Sequence, residues 1–131
     1  MGRQMNDPAS DIAACRQDMA AMAALWQAVA GRSAPRARVE AEAQVFNQMV
    51  VALDRRFGGD LAEGQVAREV RLLAQGVVRH GGWFPEVGGD GWRPDASVTG
   101  YQPGDRIALD AEVFGRLADV YLAQVAQGVE R

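Results

Sequence analysis

No lysine occurs in this 131-residue chain; all fourteen of its cationic side chains are arginine. That absence removes the phosphate-binding loop G-x-x-x-x-G-K-[ST], which needs a Lys, so Gly81, Gly82, Gly88, Gly89 and Gly91 do not form one. Those glycines follow no buried strand of a βαβ unit either, which excludes a dinucleotide-binding fingerprint. An all-Arg complement points to a GC-rich bacterial or phage gene, because surface physics alone rarely excludes every Lys. Cysteine is almost as scarce: Cys15 stands alone, so no internal disulfide forms and no oxidising compartment is required. His80 is the only histidine, too few for a His-rich metal site. Apolar runs fall well short of the roughly 18 residues that a membrane span needs. A basic stretch followed by an apolar run is missing from the start of the chain, and Asn6 breaks the myristoylation pattern. A cytoplasmic protein without a membrane partner is expected.

What is present describes an ordinary globular chain. Apolar residues make up 48% and charged residues 24%, enough apolar surface to fold rather than stay disordered. The length fits one domain, residues 1–131, with a core that needs no metal or disulfide. A net charge of −3 and a pI of 5.1 give no overall positive field for a polyanion.

Hydrophobic spacing predicts four helices. The first, about residues 8–30, has Asp7-Pro8 at its start and Gly31 after its end, with Ile12, Cys15, Met19, Met22, Trp26 and Val29 on one narrow stripe. Its many alanines let neighbouring backbones approach. The second, residues 34–57, carries Val39, Ala43, Phe46, Val50, Leu53 and Phe57, and Gly58-Gly59 ends it. The third, residues 61–80, opens on an Asp60/Glu63 capping box and carries Val66, Val70, Leu73 and Val77. Gly64 and Gly76 lie within it, so a close helix contact or a frayed end is expected at one of them. The last, residues 110–127, is capped by Asp110, carries Phe114, Leu117, Tyr121 and Val125, and stops at Gly128. The fold class is therefore mainly all-α, a four-helix bundle-like domain with a long irregular connection at residues 81–109.

That connection is the anomaly. From Trp83 to Leu109 the helical period disappears, and the stretch holds three of the five prolines and two of the three tryptophans. A loop so long inside a compact domain is either functional or structured in its own right. A short β-hairpin is expected, pairing residues 83–87 with residues 106–109 around a Pro103-Gly104-Asp105 turn. Trp83, Phe84, Trp92 and Tyr101 need something to pack against, either the helices or a partner. The first use makes them a plug for the core. The second makes them, with Arg93, a binding surface, because Trp, Tyr and Arg dominate interface hot spots.

Catalytic motifs are weak. His80 abuts the irregular segment but has no Ser or Cys nucleophile beside it, and a histidine at a helix C-terminus is favoured by the dipole alone. Glu86, Asp90, Asp95 and Asp105 match no calcium motif and suit ordinary turns. His80, Glu86 and Asp95 are the only catalytic candidates, and no cofactor is implied. Cys15, Met19 and Met22 share a helix face and could converge on a soft ion such as Cu(I), but with no second Cys or His at ligand spacing they read as core. Arg32, Arg36 and Arg38 at the start of the second helix, with Arg55 and Arg56 at its end, offer only local basic spots among nearby acids.

The expected function is a small protein–protein interaction module, a subunit, adaptor or regulator that assembles with itself or a larger partner and has no catalytic activity of its own. The alternative is an enzyme or ligand-binding domain in which residues 83–109 form a lid, with His80, Glu86, Arg93, Asp95 and Tyr101 lining a cleft. A nucleic-acid-binding regulator using the Arg-rich helix ends is a third reading, disfavoured by the charge balance.

Overall fold

The computed structural model describes residues 8–32, 34–58, 64–86 and 92–130. The expected caps and turns at Asp7, Ser33, Asp60 and Glu63, and the loop residues Gly88, Gly89, Asp90 and Gly91, lie outside them. The described chain is mostly helical: α1 is Pro8–Ala30, α2 Pro35–Phe57, α3 Gln65–Arg79 and α4 Ala111–Glu130, with a single 3-10 turn at Pro94–Ala96.

Local chemistry sets these bounds. Proline stands at the start of α2, where its missing N–H would be unsatisfied anyway and its φ suits a helix. α3 begins later than its apolar period suggests, because Gly64 holds φ at 103°, outside the helical region, and acts as the N-cap. Asp110 caps α4, its carboxylate accepting from the Val113 N–H at 2.8 Å. Gly128 does not stop α4, which runs on to Glu130.

Side-chain pairs give the helix directions. Trp26 of α1 meets Phe46 of α2 edge-on at 6.4 Å, while Arg56, at the far end of α2, pairs with Asp11 and Asp18. Thus α1 and α2 run antiparallel. Phe46 and Phe57 of α2 meet Phe114 and Tyr121 of α4 in the same order, so α4 runs parallel to α2. Gly64, at the start of α3, faces Gln124 near the end of α4, so α3 runs against α4. Directions alternate, and the 80–110 connection lies at the end where α1 and α3 finish and α2 and α4 begin.

One apolar core lies between the helices, with Val50, Val70, Leu73, Leu117, Leu122 and Val125 fully enclosed. Most of the predicted stripe residues fill it, but Met22 in mid-stripe and Val29 and Val39 at stripe ends are exposed. The cause is the position of α1, which packs on α4 and α2 and among the described residues never approaches α3.

The hairpin expected between residues 83–87 and 106–109 reduces to a single antiparallel bridge, Trp83 to Arg106, and no strand forms among the described residues. The bridge is backed by Phe84 N–H to Asp105 C=O at 2.7 Å, Gly104 N–H to Phe84 C=O at 2.9 Å and Ile107 N–H to Gly82 C=O at 2.8 Å. Pairing stops there because Pro85 has no N–H to donate. On the other side, the backbone beyond Ile107 bonds to a side chain of α2 instead.

Candidate functional site

The irregular segment is held by carboxylates and an amide projecting from the helices. Glu69 of α3 is fully buried, and its carboxylate accepts from Val98 N–H at 2.9 Å, Thr99 N–H at 2.8 Å and the Thr99 hydroxyl at 2.6 Å. A buried charge is costly unless its lone pairs are filled, and here three donors fill them. Asn47 of α2 acts as a surrogate strand, donating to Ile107 C=O at 2.9 Å and accepting from Leu109 N–H at 3.1 Å. Glu42 accepts the Ala111 N–H at 3.0 Å where α4 begins.

Sequence reasoning passes over Glu69, Asn47 and Glu42 because polar residues are assigned to water by default. A signal does exist for two of them. Glu69 lies three residues after Val66 and four before Leu73, and Asn47 lies three before Val50, which places both beside the apolar stripes of their helices.

On this frame three predicted aromatics come together. Phe84 is buried, its ring centroid 5.4 Å from that of Trp92 and 6.2 Å from that of Tyr101, the latter in a stacked arrangement. The Trp92 indole donates to Tyr101 C=O at 3.1 Å. The Tyr101 hydroxyl accepts the Ala108 N–H at 2.9 Å; burial pushes its pKa up while that donor opposes the shift.

Trp83 is different. Its backbone is fixed by the bridge to Arg106 and by its N–H bonding His80 C=O at 3.1 Å, yet the residue is 53% exposed. Its carbonyl is held hard against α3: a Cβ at Gly76 would lie 2.6 Å from Trp83 C=O and 2.5 Å from the Ile107 side chain. The expected close contact is therefore at Gly76, but against the irregular segment instead of another helix, and Gly64 is the cap. Gly81 and Gly82, with φ of 63° and 94°, turn the chain from α3 toward Trp83 through conformations that side-chain-bearing residues avoid.

Arg93 is exposed, as are His80, Glu86 and Asp95, and no hydrogen bond joins the last three to one another. Among the described residues no group of three or more His, Cys, Asp and Glu side chains is set to hold a metal ion. Arg56 is committed to Asp11 at 2.9 Å and Asp18 at 3.2 Å. Arg55, Arg71 and Arg79 line a groove of about 340 Å³ between α2 and α3, shared with Asp54, whose carboxyl is pushed up by burial with Arg71 acting the other way. No described helix is long and apolar enough to cross a membrane.

No protein-family model, no curated protein and no solved structure matches this chain. Geometry alone carries the functional reading.

Proposed function

We propose that the protein is a small cytoplasmic interaction module of a GC-rich bacterium or phage, a non-catalytic subunit, adaptor or regulator. It works as a four-helix bundle whose rudimentary hairpin is a rigid platform, and it assembles with itself or with a larger protein. The observation that carries this reading is Trp83: a large exposed indole on a backbone pinned from both sides.

Association costs about 0.5–1.5 kcal/mol for each flexible side chain it immobilises, and more when a loop must be ordered. The bonds from Glu69, Asn47 and Gly82 fix the described residues 98–109 against the rest of the fold before any partner arrives. Tryptophan is among the strongest hot-spot residues. Phe84, Trp92 and Tyr101 support the platform from beneath, and Trp83 with Arg93 faces outward. The same fastening disfavours a lid, which must open.

Light scattering across a concentration series, together with capture from a bacterial lysate, tests the reading on wild type and Trp83→Ala. A complex that weakens by about thirtyfold or more in the variant, equivalent to a hot spot of about 2 kcal/mol, with an unchanged helical spectrum, supports it. A wild type that stays monomeric and captures nothing, or a variant that assembles equally well, sinks it.

A further inference from the structure

Between Asp18 and Arg32 the chain carries no charged side chain, and Gln27 is its only hydrophilic residue. A helix that is apolar all round is normally buried all round. Of the described helices α1 packs on α2 and α4 alone, and another of its sides stays open: Leu25 is 59% exposed, Val29 48% and Met22 39%. Ala21 and Ala28 are exposed beside them. Spacing gathers these residues. Asp18, Leu25 and Arg32 stand seven apart, as do Ala21 and Ala28, and Met22 and Val29, so they all fall on one side of the helix. The Arg32 N–H bonds Val29 C=O at 3.0 Å, which keeps Arg32 against the helix end. A contiguous exposed apolar face of this kind marks an interaction surface.

We infer that this face binds the same face of a second copy of the chain, the two α1 helices lying antiparallel about a two-fold axis at Leu25. Two-fold symmetry pairs each residue with the one equally far beyond the axis. Leu25 then meets its own copy. Met22 faces Ala28 and Val29 faces Ala21, so each large side chain sits over a small one and the two helices interdigitate. At both rims Arg32 of one copy faces Asp18 of the other. Asp18 is placed to accept it, because most of its side chain is in water although Arg56 of its own chain lies at 3.2 Å. The charges also decide the orientation: parallel helices would set Asp18 against Asp18 and Arg32 against Arg32, and like charges brought together oppose binding. The face thus carries its own complement in both size and charge, which favours a second copy over an unrelated protein. It lies on α1 and does not use Trp83, so it stands apart from the platform proposed above.

Along α1 the contact runs from Asp18 to Arg32, about 21 Å, a small interface that forms at micromolar concentrations. The test is sedimentation equilibrium of the whole protein up to about 200 μM, on wild type, Leu25→Glu and Trp83→Ala. Leu25 is exposed, so its replacement leaves the core and the helical spectrum intact. Wild type should dimerise, Trp83→Ala should dimerise equally well, and Leu25→Glu, which brings two carboxylates together at the axis, should weaken the dimer by about tenfold or more. Register is tested by mild oxidation of two cysteine variants. Leu25→Cys should cross-link to its own copy, whereas Gln27→Cys, exposed on the far side of α1, should not; Cys15 is too buried to compete. A monomer throughout the concentration range, a dimer untouched by Leu25→Glu, or equal cross-linking of the two cysteine variants overturns the proposal. A dimer lost in Trp83→Ala but kept in Leu25→Glu belongs to the platform and overturns it as well.

Discussion

At Glu69 a single side chain joins α3 to backbone thirty residues further on, and its removal leaves two half-buried amides and a hydroxyl without their acceptor. Each unsatisfied group costs about 1–3 kcal/mol. Glu69→Gln keeps one acceptor oxygen but sets an NH2 donor against a backbone N–H, and should lower stability in urea unfolding by about 1–3 kcal/mol, with amide exchange quickening first at Val98 and Thr99. Equal exchange in both proteins would mean the segment is held by other bonds. Tyr121 presents the opposite case. Its ring is enclosed in the core, and its hydroxyl finds no hydrogen-bond partner among the described residues. Burial pushes its pKa up to about 12, with Asp54 adding to the shift and Arg71 opposing it. An unfolded chain ionises this phenol near 10, so above that pH the unfolded state loses a proton that the folded state keeps. Stability is full below about pH 10 and falls as pH rises toward about 12, by roughly 2–3 kcal/mol. Urea midpoints measured across that range should decline in wild type, and Tyr121→Phe should make the decline shallower at little cost to packing, the buried Tyr101 and Cys15 supplying the remainder.

Between elements, the critical contact is the one α3 makes with the segment that follows it. At Gly76 any side chain would collide with Trp83 C=O and Ile107, and backbone does not yield as a flexible side chain does. Gly76→Ala should cost about 1–3 kcal/mol through overpacking despite alanine's better helix propensity. Calorimetry would show it, and a variant as stable as wild type would mean that α3 and Trp83 are not locked together. The helices themselves are legible in the sequence because punctuation and period agree: Pro8 and Gly31 flank α1, Pro35 and Gly58 flank α2, and Asp110 caps α4. The limit of that evidence shows at Met22, Val29 and Val39. Periodicity tells which residues share a face, but coverage of that face depends on where neighbours sit, and α1 lies against two helices instead of three. The candidate site is legible only in part. Four aromatics in one glycine-rich stretch single out the segment. Nothing in the composition distinguishes buried Phe84 from exposed Trp83, because that depends on which acceptors and donors the helices extend toward it.

For the molecule as a whole, stability is unevenly distributed. α2 and α3 are the most closely packed pair, whereas α1 leaves Leu25 and Val29 in solvent and is fastened at one end by salt bridges from Arg56 and at the other by Trp26. Such regions open below the global unfolding energy. Native-state hydrogen exchange should release the middle of α1 before the buried stretches of α2 and α3, and uniform protection across all four helices would contradict that. The three tryptophans stand in three different surroundings: Trp26 enclosed against Phe46, Trp92 half-buried on Phe84, and Trp83 half in water. Each therefore gives a distinct fluorescence. Variants keeping one indole at a time would follow docking of α1, ordering of the platform and occupancy of its outer face as separate optical signals, with no dye attached.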